Sequence, residues 1–478
     1  MTVTDRQALA GALSAEQAED LRQQLRGALI LPGDPDYDTA RAVWNGLIDK
    51  RPAAIARCAG TADVVAAIRF ASANGIEIAV RGGGHNVAGH ATSDGGLVID
   101  LSMMRAVQVD PQRRVARVQG GALWGDLDRE AQLHGLVTPG GEVSTTGIAG
   151  YTLSGGIGLL HRKWGLACDN LLGVEIVTAD GAVRRASQTE HPDLFWAIRG
   201  GGGNFGVVTW FEYQLHPLGP EVYSVAVLYQ IEQAARILRE WRAFAAQAPD
   251  EVTAEAFVWR VPPFPDLPDE LAGAPALIIG GLYAGPADEG EQALRPLREF
   301  GEPLLDLSGP APYVEVQSAF DALFPAGLRC YWKSLFIEDL SDALLDVMLE
   351  QGSRRPSAQS LLALRHLGGA ISRIPEDATA FGNRGARYNL SVDAIWEDPA
   401  DDERSIRWAR ATWEALRAHT GGGVYLNFAG LGEDTAALTR AGHRGNYERL
   451  RALKAKYDPD NLFRGNINIA PLSQEEAS

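Results

Sequence analysis

Cysteine is scarce in this chain, with three residues, Cys58, Cys168 and Cys330, among 478. An odd number, far apart and without C-x-x-C spacing, supplies neither a disulfide framework nor a zinc or redox motif. All three read as free thiols, and no metal site is expected. Positive charge is also short: 44 Lys and Arg against 61 Asp and Glu give a formal net charge of -17. Without a basic face to replace phosphate counterions, nucleic acid is excluded as an electrostatic partner. Nowhere do ~18 to 20 apolar residues run uninterrupted, so no transmembrane helix is available and no membrane partner is expected. Met1 to Gly27 carries Asp5, Arg6, Glu16, Glu19, Asp20, Arg22 and Arg26 with no apolar core of signal-peptide length, and reads as a polar helical arm. A globular protein is left, expected in the cytoplasm and as a monomer or homodimer.

Glycine, by contrast, is abundant, with 53 residues. In Arg81-Gly82-Gly83-Gly84-His85-Asn86 it closes a short apolar strand over 76–80. Three successive glycines let backbone N–H groups approach a ligand closely, as a phosphate cradle requires, and place one imidazole beside whatever is held. The alternative reading of the hexapeptide alone is a turn with a solvated histidine. A second dense stretch runs from Gly140 to Gly158 and a third from Gly200 to Gly206. The third matches G-x-G-x-x-G over Gly201 to Gly206, but it follows a helix end at 194–198 and precedes a β-branched, aromatic strand at 207–213. That is the reverse of the dinucleotide fingerprint, so no Rossmann site is expected.

Around these loops the chain alternates helix and strand signals. Thr61 can cap a helix that Asn74-Gly75 ends, strands follow over 97–101 and 115–118, and a helix spans about 122–134. After Pro217 the pattern changes to strand-like runs over 223–229, 276–283 and 388–396, amphipathic helices, and loops such as Val261-Pro262-Pro263-Phe264-Pro265. The fold class is α+β.

The three loops, with Arg51-Pro52, Ile55-Ala56-Arg57-Cys58, Lys163-Trp164-Gly165-Leu166, Asp169-Asn170, Leu194-Phe195-Trp196-Ala197, Gly203 to Thr209 and Tyr457-Asp458-Pro459, resemble the FAD-linked oxidases of the vanillyl-alcohol oxidase type. Within these the chain is most similar to the berberine-bridge-enzyme-like branch and its bacterial members of the 6-hydroxy-D-nicotine oxidase kind, from about Asp38 to Pro471. The resemblance implies an FAD-binding domain of two α+β lobes (PCMH type) over 1–217, with an arm at 1–37 and the lobes at 38–217. A substrate domain with a large antiparallel sheet covered by helices follows over 218–437, and the segment 438–478 returns to the FAD-binding domain.

It also implies site residues. His85 falls on the histidine linked to the flavin 8α-methyl group, while Val143 replaces the cysteine of a second link, so FAD is expected to be monocovalent. The implied cofactor contacts are Arg81, Gly82, Gly83, Gly84, Asn86, His90, Val143, Ser144, Thr145, Gly147, Gly150, Gly155, Gly156, Asn204, Gly206, Val207, Val208, Asn466 and Asn468. Thr146 falls where relatives control dioxygen access, and Tyr151 near the flavin pyrimidine edge, where a phenol can stabilise reduced flavin or can be an ordinary core residue.

The family's usual bases are missing. Asn389 stands at the position of the berberine-bridge glutamate, and in Tyr425-Leu426-Asn427-Phe428 the second tyrosine of the family motif has become Phe428. Neither replacement takes a proton at neutral pH, which favours C–N over C–O oxidation, because a neutral amine supplies its own lone pair. Tyr425, Tyr388 and Lys333 are the residues left to act as a base. Strand alternation sends Tyr388 and Asn389 to opposite faces, and Asn389 is expected to face the flavin. Trp332, Phe336 and Phe428 make an apolar slot. The expected activity is that of an oxidase of a small hydrophobic or aromatic molecule, with O2 as acceptor and H2O2 as product. A flavin-dependent oxygenase or oxidative cyclase, suggested by Thr146 and the missing bases, and a catalytically inactive flavin-binding protein are the alternatives.

Overall fold

Three main sheets organise the computed structural model, which describes residues 13–262 and 271–473. Residues 1–12 of the N-terminal arm and Pro263 to Pro265 of the proline-rich loop lie outside the described residues. The described part of the arm holds the helix Ala15–Gln24, closed by a capping box between Ser14 and Gln17.

The first sheet runs in the order Ala28–Ile30, Ala54–Arg57, Leu97–Asp100, Ile78–Arg81, and the last three strands are parallel. Leu97–Asp100 is buried at every position, which is why its apolar run does not alternate. The helix Thr61–Asn74 connects two of these strands and ends at Gly75, where φ is 64°. Thr61 is the first residue of this helix and not its cap. Its hydroxyl donates to Glu175 Oε1 at 2.8 Å, and Gly60 holds the cap position without a side-chain bond.

The second sheet is antiparallel, in the order Val107–Asp110, Val115–Gln119, Val207–Gln214, Leu171–Val177, Val183–Ser187. Its core takes in Leu194 and Phe195 of the helix Pro192–Ile198, and also Tyr447, Leu450, Tyr457 and Ile469 from the end of the chain. Gly201 to Gly206 joins that helix to the strand Val207–Gln214, the helix-to-strand order read from the sequence.

The third sheet has eight strands. Its path is Pro303–Asp306, Glu221–Gln230, Pro275–Tyr283, Val252–Arg260, Leu361–His366, Tyr388–Trp396, Arg329–Ile337, all antiparallel, with Gly309–Pro312 beside Glu221–Gln230. Four helices, Ala234–Ala245, Ala287–Arg298, Asp342–Ser353 and Asp402–Arg417, cover one face, where Trp241, Tyr388 and Trp396 form the core. The opposite face, with Phe257, Trp259 and Ile395, packs towards Trp44 and Val87 of the N-terminal lobe. With both faces covered, Tyr388–Trp396 is buried along its whole length.

Buried polar contacts tie the lobes to this sheet. The Asn45 side chain donates to the carbonyls of Val87 at 2.7 Å and Cys330 at 2.8 Å and accepts from the Cys330 N–H at 2.9 Å. Asp169 pairs with Arg384 at 2.7 Å, both buried, so each charge has the partner that burial demands. No described helix is long and apolar enough to cross a membrane.

Candidate active site

The strand Ile78–Arg81 delivers Gly82, Gly83, Gly84, His85 and Asn86 to the wall of a cavity of about 300 Å³. Gly147 of the second loop closes on Gly83 backbone to backbone, and a Cβ on either residue would collide with the other. Among the described residues, no acceptor takes the N–H groups of Gly83, Gly84, His85 and Asn86. Arg81 itself turns away, its guanidinium donating to the Ala40 carbonyl.

The His85 imidazole is held on three sides. Trp44 stacks on it, with ring centres 5.0 Å apart and 18° between the planes. Thr145 Oγ1 lies 2.9 Å from Nε2 and Thr146 Oγ1 lies 3.4 Å from Nδ1. Burial pushes the ring down to about 4, so it is neutral at physiological pH. His90, also on the cavity wall, is pushed to about 4 by burial and by Lys50.

In the second loop, Val143, Thr146, Gly147, Gly150 and Tyr151 line the cavity. Ser144 does not. Its N–H and hydroxyl both donate to Asp321, at 2.7 and 2.5 Å, which anchors the loop to the segment after the helix Tyr313–Gln317. The Tyr151 hydroxyl is already committed, donating to the Gly140 carbonyl at 3.0 Å. Gly155 and Gly156, at φ 113° and 93°, form the turn behind Tyr151 and lie off the cavity wall.

The third loop contributes Asn204, Gly206, Val207 and Val208 to the wall, beside Asn466 of the tail, whose side-chain amide donates to the Gly203 carbonyl at 3.2 Å. Asn204 stitches the two together, donating to the carbonyls of Gly201 at 2.9 Å and Ile467 at 3.1 Å and accepting from the Ile469 N–H at 3.0 Å. Below them Lys454, fully buried, donates to Asp458 at 2.7 Å and to the carbonyls of Asn204 at 2.8 Å and Phe463 at 3.0 Å. The buried amide oxygens of Asn466 and Asn468 have no protein partner. Asn466 lines the cavity and Asn468 does not.

At its far end the cavity meets the large sheet. The residues expected there as bases lie elsewhere. Lys333 pairs with Glu433 at 2.5 Å beneath Trp413, off the cavity. Tyr388 is in the helix-covered core. The Tyr425 oxygen accepts from the Ile157 N–H at 3.0 Å and from Asn427 Nδ2 at 2.8 Å, and burial pushes this phenol up to about 12. Asn389 is turned to the opposite face from Tyr388 but stops short of the cavity wall, donating to the Leu335 carbonyl at 3.3 Å. Asn427, Phe428 and Trp332 line the cavity, whereas Phe336 packs behind them against Phe381 and Tyr425.

The sequence reading missed the group that does occupy this end. Two residues beyond Ser391 on the Asn389 face is Asp393, which the register sets opposite Trp332 and Leu361. Two rows further along the same face, past Ser391, Arg365 stands between Glu255 and Asn389. Arg365 is 3.4 Å from Glu142 and 3.3 Å from Glu255, and donates to Ser391 Oγ at 3.2 Å, which in turn donates to Asp393 at 2.9 Å. Burial pushes Asp393 up to about 7 against the pull of Arg365, and lifts Glu255 well above the carboxylate range. One signal was legible: charged residues inside apolar strand runs such as Leu361-Leu362-Ala363-Leu364-Arg365 are buried only when paired.

Comparison with known proteins places this geometry. A family model described as an FAD binding domain matches residues 52–187, and one described as berberine and berberine like matches residues 424–470. The chain is 32% identical over 469 residues to (R)-6-hydroxynicotine oxidase of Paenarthrobacter nicotinovorans, covering 94% of this chain and 97% of that one. It is 31% identical to an uncharacterized FAD-linked oxidoreductase of Bacillus subtilis, covering 94% and 98%. The chain belongs to the berberine-bridge-enzyme-like FAD-linked oxidoreductases. Among solved structures of such proteins, 6-hydroxy-D-nicotine oxidase from Arthrobacter nicotinovorans superposes with a TM-score of 0.82 at 32% identity, over 94% of this chain and 98% of that one. A Physcomitrella patens berberine-bridge-enzyme-like protein shares the fold, with a TM-score of 0.86 at 23% identity.

The cavity of this berberine-bridge-enzyme-like enzyme fits FAD. Arg365 is the only Lys or Arg among the described lining residues, and carboxylates occupy it. A diphosphate would therefore be held by the unpaired N–H groups at Gly83 to Asn86, where the absence of side chains permits close approach. Asn466, beside the third loop, lines the cavity as well.

Proposed function

We propose that the enzyme is an oxidase that removes a hydride from a C–N or C–O carbon of a small apolar or aromatic molecule, with FAD attached through His85 alone. FAD, when bound, supplies the acceptor for the hydride at N5 and passes the electrons to dioxygen, giving H2O2. The observation that carries this reading is the single cavity that begins at the glycine cradle and ends at Asp393 between aromatic walls.

The chain's own residues divide the remaining work. His85, neutral and clamped by Trp44 and the two threonines, keeps a nitrogen lone pair for the bond to the cofactor. Val143 brings no second nucleophile. Asp393 accepts the proton that the substrate loses, the part left open by Asn389 and Phe428. Its poise near 7 suits a general base at neutral pH. With that acceptor present, the oxygenase alternative loses the argument from missing bases and rests on Thr146 alone, which lines the cavity beside His85.

Anaerobic addition of substrate amines or alcohols should bleach the flavin visible band, and readmitted air should restore it with release of peroxide. A flavin that no such compound bleaches defeats the oxidase reading. Acid precipitation should leave yellow flavin in the protein pellet of the wild type and free it in His85→Ala.

A further inference from the structure

The clamp on His85 is braced from outside the first two sheets. Between the strands Gly309–Pro312 and Arg329–Ile337 of the large sheet, the chain makes the helix Tyr313–Gln317 and a run of turns over 318–327. This segment reaches both parts of the clamp. The Trp44 indole, which stacks on the imidazole, donates to the Phe324 carbonyl at 3.1 Å, and the Trp44 carbonyl accepts from the Gly327 N–H at 2.9 Å. The loop that carries Thr145 and Thr146 is held at Ser144, whose N–H and hydroxyl donate to the two oxygens of Asp321 at 2.7 and 2.5 Å. It is held again at Gly141, whose carbonyl accepts from the Gln317 side chain at 2.6 Å. Two donors on one carboxylate fix Ser144 in position and orientation together, and bonds to an ionised acceptor are the short, strong kind. The inner side of the loop has its own ties: the Gly125 N–H donates to the Ser144 carbonyl at 2.9 Å and the Trp124 N–H to the Thr146 carbonyl at 3.0 Å. Loss of Asp321 therefore leaves the path of the loop supported and frees the edge where the two threonine hydroxyls meet the ring.

We infer that Asp321 is a positioning residue for the attachment of FAD, acting through Ser144 on Thr145 and Thr146 and through them on the His85 ring. The inference rests on the attachment through His85 proposed above. In that step a ring nitrogen forms a bond to the 8α carbon of the flavin. The carbon loses a proton and the imidazole its N–H proton, and the two electrons of the broken C–H bond reduce the flavin ring, which takes up both protons. Dioxygen then removes two electrons and two protons as H2O2. The neutral imidazole has one lone pair to give, in the plane of the ring, so the bond forms only when that plane is aimed at the carbon. Trp44 sets the plane by stacking, and the threonine hydroxyls set the rotation within it. Misplacement of a reacting group by ~1 Å costs about a hundredfold in rate. Phe320 and Phe324 of the same segment line the cavity, so the aromatic slot and the attachment histidine share one support.

Acid precipitation of the purified holoenzymes, after the flavin-to-protein absorbance ratio of each native protein has been measured, separates positioning from folding. The wild type should keep its flavin in the pellet. Asp321→Ala should hold FAD at the wild-type ratio when native yet release most of it into the supernatant, a loss of covalent flavin of about tenfold or more. Asp321→Asn should restore attachment, because its amide oxygen accepts from the Ser144 N–H and its NH2 donates to the Ser144 hydroxyl. Ser144→Ala, which removes one of the two bonds by the smallest change, should release part of the flavin, and it carries the test if Asp321→Ala does not fold. Retention of flavin by Asp321→Ala equal to the wild type overturns the inference, as does an Asp321→Ala protein that folds without binding FAD. A wild type that frees all of its flavin overturns the attachment through His85 as well, whereas full retention in both proteins overturns the role of Asp321 alone.

Discussion

The Asp393 carboxyl sits where burial and Arg365 pull in opposite directions, and burial wins, leaving it up at about 7. Were it a surface aspartate, it would be ionised at every working pH and would make a poor base. The value follows from neighbours that no local sequence pattern reveals: Leu361 and Trp332 opposite it, and Arg365 two rows away on the same face. If Asp393 takes the substrate proton, kcat/KM should rise with pH through about 7 as the carboxylate forms. Asp393→Asn should lower it by about a hundredfold or more and abolish that rising limb. A steady-state pH profile of both proteins checks this, and a variant that retains the limb would assign it to another group. The same principle accounts for the residues that drop out. Lys333 and Tyr425 are titratable by type, but each has its proton-bearing atom committed to a neighbour.

At the scale of elements, the glycine loops were legible because glycine is required where two backbones touch. Gly83 and Gly147 show this most directly, each occupying the space a Cβ on the other would need. Gly83→Ala should force the two loops apart, at a cost of ~1 to 3 kcal/mol in stability and with loss of bound FAD. Thermal unfolding and the flavin-to-protein absorbance ratio measure both, and a fully flavinylated, equally stable variant would contradict the close-packed cradle. The strand Tyr388–Trp396 shows how far periodicity reaches. Alternation correctly sends Tyr388 to the helix-covered core and Asn389 to the other face. It does not say how far along the strand the cavity begins. On this strand Asp393 lines the cavity and Asn389 does not, although Arg365, the cross-strand partner of Asn389, does.

Over the whole molecule, six histidines are held neutral by burial. His85, His90, His161, His216 and His443 are pushed down to about 4 and His366 to about 2. The unfolded chain binds protons at these residues below about 6.5 while the folded chain does not, so their stabilising contribution is complete above 6.5 and is lost as pH falls towards 4. Asp393 and Glu255, with raised values, contribute in the opposite sense, being most favourable to folding at low pH, but they are outnumbered. Denaturant unfolding should therefore show stability falling steeply between pH 6.5 and 4. A flat profile in that window would mean the histidines are not buried as neutral rings.

The sequence by itself determined the family, the α+β class, the three glycine loops and the histidine in the first of them, because these depend on local backbone demands and on motifs contiguous in the chain. It also shows valine and not cysteine at position 143, where the resemblance puts a second attachment. The tertiary structure alone decided which polar groups meet at the cavity. Glu142, Glu255, Arg365 and Asp393 come from a loop and three strands spread over 252 positions, and the strand register is what places them together. Charge in a buried site is set by neighbours across the sheet, and one-dimensional spacing carries no record of them.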